Sequence, residues 1–337
     1  MQKGKTLQEL ATEIARQHES KRDFLVPTNQ LVFSAIGDEI MLDFPTLEPN
    51  MLRVNGIAHE QFGQFCGIPK RYYDTLLSPE NLHLLATNVQ WWLDRGSDRR
   101  MIRTLDGTTR AFLSDKYRRL DNYDLAQAIL PILSDAGVVI KSSEITERRL
   151  YIQAVTPKVE GEVAVGDVVQ AGVIVTNSEV GHGSLSVRPL IYRLVCSNGM
   201  IVDDYARRKY HVGRQLDTIE FTDETKIAED RAFWLQTRDL VSHCLSEAMF
   251  QKILSDMKLA TSRKIEDPTR AIELAKSAFS LSEQEKNGVL AHLIQGGDLS
   301  SYGLGNAVTR LAHDVETYDR SVELESIGYK VMERSWN

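Results

Sequence analysis

The apolar pattern is most informative between Gly172 and Met200, GVIVTNSEVGHGSLSVRPLIYRLVCSNGM. Val173, Ile174, Val175 and Thr176 are β-branched and suit a pleated strand. Asn177-Ser178 and Gly181-His182-Gly183 accept positive φ, so the chain should reverse there. On the return, Leu185 and Val187 alternate with polar neighbours, but beyond Pro189 the apolar positions are Leu190, Tyr192, Leu194 and Cys196. That change of parity predicts a β-bulge at Pro189. Asn198-Gly199 predicts a tight turn into a third strand at Met200 and Ile201, making the region an antiparallel meander rather than a βαβ unit.

Helical spacing predicts a helix over 5–20, two short helices over 57–66 and 69–77, and a hairpin of 31–33 with 39–44 around Gly37-Asp38. Ser78 as N-cap, Pro79 and Glu80 open the next helix, whose stripe Leu82, Leu85, Val89 and Trp92 should face the core before Gly96 ends it. Asp106-Gly107 predicts a two-residue type I′ turn in a 99–114 hairpin. That register sets Leu105 opposite Thr108, Arg103 opposite Arg110 and Met101 opposite Phe112. Like charges facing each other require an anion between them, either an internal carboxylate or a ligand phosphate. A helix from Asp121 to Ala136, kinked at Pro131, precedes strands over 138–142, 149–155 and 168–176. Beyond Thr222 one long helix should reach about Thr261, followed by 268–279, another from Ser282, and a last helix whose seam is Leu304, Val308, Leu311, Val315, Tyr318 and Val322. The fold class is α+β: an antiparallel, meander-rich sheet decorated by helices, with a C-terminal helical subdomain. The expected units are 1–22, an N-terminal helical appendage; 23–219, the α+β core; and 220–337, helical and packed on the core.

Composition adds restraint. Apolar residues make up 42% and charged residues 26% of the chain, as in soluble globular proteins. The opening stretch lacks the apolar centre of a signal peptide, so a cytoplasmic location is expected. Cys66, Cys196 and Cys244 lie far apart in apolar patterns and read as reduced thiols. The net charge is -7, yet two regions are locally basic. Over 94–119, eight cations stand against four carboxylates, among them Arg99, Arg100, Arg103, Arg110, Lys116, Arg118 and Arg119, with Tyr117 interleaved. Over 188–214, six cations, Arg188, Arg193, Arg207, Arg208, Lys209 and Arg214, stand against two carboxylates, with Tyr205 and Tyr210 among the aromatic residues. Basic and aromatic residues on strands suit a groove that tracks phosphates while rings stack on bases; internal ion pairing is the alternative.

Three segments, TLDGTTRAFLSDKYRRLDNYDL (104–125), VIVTNSEVGHGSLSVRPLIYRLVCSNGM (173–200) and SYGLGNAVTRLAHDVETYDRSVELESIGYKV (301–331), resemble the phage- and plasmid-borne proteins grouped as domain of unknown function 932. The resemblance spans roughly 23–331. It implies no activity, only a setting of mobile elements in which annealing or replication accessories are the usual assignment.

Catalytic signals are sparse: there is no HExxH, CxxC, GxSxG or Walker loop. His182, three residues after Glu179, reads as a turn histidine or a general acid-base. Asp203-Asp204 should point to opposite strand faces. Asp314, Glu316, Asp319, Glu323 and Glu325 read as a solvated face with a Glu316–Arg320 pair. Gly303 and Gly305 open a helix that either holds a phosphate or packs closely. No cofactor or metal is expected. The leading expectation is therefore a non-catalytic, homo-oligomeric protein that binds or anneals single-stranded DNA in recombination or replication. A metal-dependent nuclease or other phosphodiester hydrolase, and an interaction protein aimed at a host factor, are the alternatives.

Overall fold

The computed structural model describes residues 4–46, 51–203, 207–209 and 222–337. Two sheets organise them. The first is built from β1 (Arg22–Pro27), β2 (Val32–Ile36), β3 (Glu39–Asp43), β4 (Leu52–Val54), β5 (Arg99–Leu105) and β6 (Thr108–Ser114), in the order β1-β5-β6-β4-β3-β2. All its pairs are antiparallel except β4 with β6. The second runs β11-β10-β9-β8-β7, from β7 (Val139–Ile145), β8 (Leu150–Glu162), β9 (Val168–Asn177), β10 (Leu185–Arg193) and β11 (Asn198–Ile201), with β12 (Arg207–Lys209) also paired to β10. It is the antiparallel meander that the sequence pattern implies, and the α+β class holds.

Helices α2 (Gly56–Phe65), α3 (Lys70–Leu76) and α4 (Leu82–Leu93) close one core against the first sheet through Phe33, Leu42, Phe62, Leu85, Val89 and Phe112. Helices α1 (Leu7–Ser20), α5 (Asn122–Asp135) and α6 (Asp223–Cys244) cover part of the second sheet, where Leu10, Ile14, Leu125, Ile129 and Val241 meet Ile152, Val173, Val175, Leu185 and Val187. Helices α7 (Glu247–Ser262), α8 (Pro268–Phe279), α9 (Glu283–Gly296), α10 (Ser301–Leu311) and α11 (Tyr318–Glu333) complete the chain. Among the described residues no helix is long and apolar enough to cross a membrane.

Several local expectations are corrected. There is no bulge at Pro189: β10 pairs with β9 in unbroken register from Ser186↔Thr176 to Arg193↔Val169. The parity changes because both faces of β10 are buried. Leu185 and Val187 join the core under α5 and α6, whereas Leu190 and Tyr192 pack with Tyr318 and Val322 of α11 on the other face. Pro189 falls between the residues that pair with β12 and those that pair with β11, where its missing N–H breaks neither ladder. The turn after β10 is not Asn198-Gly199, which pair inside the ladder, but Leu194 to Ser197, with Ser197 at φ 53°.

The Asp106-Gly107 turn forms with positive φ at both residues, 50° and 71°. The register then shifts by one residue, so Arg103 lies opposite Ala111 and Arg110 is the extra residue of a bulge. The expected facing pairs Arg103–Arg110 and Met101–Phe112 therefore do not exist. Trp92 is exposed, and Leu93 takes the core position in its place. The long helix is two helices, because Ser246 caps α7 by accepting from the Met249 N–H. The last helix is likewise two, with Thr317 capping α11. They pack on each other, so most of the expected seam, Leu304, Val308, Leu311, Tyr318 and Val322, is buried inside one chain.

Candidate functional site

The β9–β10 turn, the most glycine-punctuated stretch, carries a charged network into the interior. Glu179, only 5% exposed, accepts from the Asn122 N–H at 2.7 Å and pairs with Arg110 and Lys21. Arg103, 1% exposed, grips Asp23 with two hydrogen bonds of 2.8 and 3.1 Å, donates to Asp121 at 2.7 Å and donates to the Glu179 carbonyl at 2.9 Å. Burial alone would raise the Asp121 carboxyl, but Arg103 and Lys21 outweigh it and bring its pKa down to about 2. The Glu179 carboxyl is also lowered: burial opposes ionisation and Arg110 overcomes it. Asp121 occupies the N-cap position of α5 without capping it, because its carboxylate is committed to the two cations. Internal carboxylates are thus the anions that Arg103 and Arg110 require.

The other basic candidates are also mostly paired. Arg188 meets Asp203 at 2.8 Å, Arg193 holds Asp167 at 2.5 and 2.9 Å, Arg118 pairs with Asp230, and Arg119 approaches Asp23 at 3.5 Å. The Tyr117 hydroxyl donates to the Ser178 carbonyl, and Arg100 lies over the Phe65 ring. Arg99 and Lys116 are exposed. Tyr205, Tyr210 and Arg214 lie outside the described residues; Arg207, Arg208 and Lys209 are placed as the backbone of β12. The partners are mainly carboxylates of the first two hundred residues.

What the fold does gather is a set of depressions around the β7–β8 turn, Thr146 to Arg149. A cavity of about 310 Å³ between the sheets is lined by Arg53, Arg110, Arg148 and Arg149 with Asp106, Glu147 and Glu179. A second, about 510 Å³, lies between that turn, β10 and α11; it is lined by Arg148, Arg149, Arg188, Arg320 and Lys330 against Asp203, Asp319 and Glu323. A third, about 520 Å³, lies between α2 and α3 and has Lys70 and Arg148 with Glu60 and Asp74. All three share Arg148. Counted together, the cations and carboxylates are equal in number; because Arg148 and Arg149 are shared, cations are in excess in two of the depressions, four against three between the sheets and five against three between β10 and α11. There Arg188, nine-tenths buried, keeps an Nε with no hydrogen-bond partner among the described residues. Sequence reasoning missed Arg53, Arg148, Arg149, Arg320 and Lys330; the adjacent Arg148-Arg149 pair at a predicted strand start was the available signal.

His182 Nε2 lies 3.7 Å from Glu60, which also receives Arg148 at 3.2 Å. Burial and then Arg148 lower the His182 pKa, so the imidazole is neutral at neutral pH. Of the acidic helix residues, Asp314, Glu316 and Glu323 are exposed as expected, but Asp319 and Glu325 turn inward. Glu325 is fully buried and accepts from Gln153, Asp319 accepts from the Tyr151 hydroxyl, and Arg320 pairs with Glu285 and Glu323 rather than Glu316. Asp203 is committed to Arg188, Lys330 and Ser326; Asp204 lies outside the described residues. Gly305 serves close packing: a Cβ there would meet the Gly328 carbonyl at 2.7 Å. Among the described residues no three His, Cys, Asp or Glu side chains gather as a metal site.

The family model for "Domain of unknown function (DUF932)" matches residues 111–310, more than half of the chain. The chain belongs to this family. The matched DUF932 region runs from β6 into α10; it contains Arg148, Arg149, His182 and Arg188, while Arg53, Lys70, Arg320 and Lys330 lie outside it. No curated protein and no solved structure matches the chain.

Proposed function

We propose that this chain binds nucleic acid without cutting it, taking the phosphates of a single DNA strand at the Arg148-Arg149 turn. The observation that carries the reading is the convergence of three depressions on Arg148, two of them sharing Arg149, with cations outnumbering carboxylates in the one against α11. Guanidinium groups grip phosphates in bidentate fashion, and recessed pits between elements receive a flexible strand better than the convex surface of a duplex. The setting suggested by the family resemblance, recombination or replication of phage or plasmid DNA, fits a protein that holds strands rather than one that cleaves them. A homo-oligomer remains part of this proposal, but it has to use a surface other than the α10–α11 seam.

The test is fluorescence anisotropy with single-stranded DNA, duplex DNA and RNA probes of one length, on wild type and Arg148→Ala. Tightest binding to single-stranded DNA, weakened by the substitution, is expected. Equal binding by the variant, or no binding to any probe, contradicts the reading.

A further inference from the structure

The third depression differs from its neighbours. On α2, His59, Glu60, Gly63 and Gln64 fall on one helical face, and on α3 Lys70 and Tyr73 do the same with Leu77 just past its end, so the two helices and the intervening Ile68 enclose a cleft. Its charged groups are Lys70 and Arg148, which stand beside Glu60 at 3.8 and 3.2 Å, and Asp74, which meets Lys70 at 3.0 Å. Inside are the Tyr73 ring and the apolar Ile68 and Leu77. His59, 8% exposed, supplies a polar edge beside them. Its Nδ1 is joined to the Tyr73 hydroxyl at 2.9 Å, and Nε2 has no partner among the described residues. His59 lines the cleft, so this nitrogen is available to hydrogen-bond a ligand there.

A charged rim that includes Arg148 of the proposed phosphate site, with a mostly apolar interior holding the Tyr73 ring and one hydrogen-bonding edge, suits a ligand whose charged part stays outside while a neutral, polar-edged part enters. We infer that the α2–α3 cleft accepts an unstacked nucleobase of a strand whose phosphate lies at Arg148 and Lys70. The inference rests on the strand-binding reading above. Burial pushes the His59 pKa down to about 4, so its imidazole is neutral at working pH and offers a hydrogen bond rather than a charge, which suits a base edge and not a phosphate. The volume, about 520 Å³, leaves room for either base class, so the cleft recognises the presence of a base more than its sequence.

The test compares a thymidine oligonucleotide with one of the same length and charge made of abasic residues, on wild type and on Ile68→Trp, which fills the cleft from a half-exposed position. Wild type should prefer the base-bearing strand by about tenfold or more. Ile68→Trp, with its melting temperature checked, should erase that preference while retaining affinity for the abasic strand. In parallel, a strand carrying 5-iododeoxyuridine should photo-crosslink wild type within residues 57–77, a measurement that needs no variant. Equal affinity for both strands, a preference that survives Ile68→Trp, or crosslinks elsewhere would overturn the inference and leave strand binding standing. Failure of wild type to bind either strand would remove both.

Discussion

Arg103 is surrounded on every side by partners of its own chain: Asp23, Asp121 and the Glu179 carbonyl. Removing one member of such a buried set leaves uncompensated charge, so Arg103→Met should destabilise the fold by about 3–5 kcal/mol. Urea unfolding measures this, and DNA affinity of the folded fraction should be unchanged; the reverse outcome would move Arg103 into the ligand site. The local pattern misled here for a physical reason. A two-residue turn sets the register only until a bulge intervenes, and neither the bulge at Arg110 nor the distant Asp23, Asp121 and Glu179 leaves a mark in the hairpin's own sequence. The pH response belongs to the same scale. His59 is held at about 4 in the fold, against about 6.5 when unfolded. Between those values the unfolded chain binds the extra proton, so stability falls as pH drops through that window. Asp121, held at about 2, has a depressed folded value, so its contribution is present above the unfolded value of about 3.9 and is lost below it. Melting temperatures from neutral pH downward should therefore decline first through the histidine window and again through the carboxylate window; a rise on acidification through the first window would refute the His59 assignment.

At the level of elements, glycines decide how closely α10 and α11 approach. A Cβ at Gly305 would meet the Gly328 carbonyl at 2.7 Å and the Met332 Cβ at 2.9 Å. Gly305→Ala should cost about 1–3 kcal/mol by overpacking, read as a lower denaturation midpoint at unchanged slope. No loss would mean that the two helices separate easily. Much at this scale was legible from the chain: the α8 and α9 starts at Pro268 and Ser282, the Gly37 hairpin and the meander from β7 to β11 follow from caps, turns and β-branched runs. What was not legible is where a long apolar pattern is interrupted. Leu245-Ser246 and Ala312 to Thr317 continue a helical spacing of apolar residues, yet Ser246 and Thr317 satisfy the N–H groups of a new helix better than those of a continuing one. Likewise the parity change at Pro189 recorded burial on two faces, which a single strand's alternation cannot distinguish from a bulge.

For the whole molecule, the central claim is that two sheets, α2, α3 and α11 bring separated cations to one place around Arg148-Arg149. These residues come from positions 53 to 330, so spacing within any one segment could not reveal the site, although the turn that anchors it lies within the stretch matched to the family. Because cations and carboxylates balance over the three depressions together, the electrostatic contribution should be modest and local. The most direct measurement is the salt dependence of single-strand affinity for wild type and for Arg148→Ala/Arg149→Ala. At about 0.7 per phosphate on a log-log plot, two to three neutralised phosphates give a wild-type slope of roughly -1.4 to -2.1. The double variant should lose roughly 1.4 of it, with its melting temperature retained. A flat response in wild type, or an unchanged slope in the variant, would contradict the account.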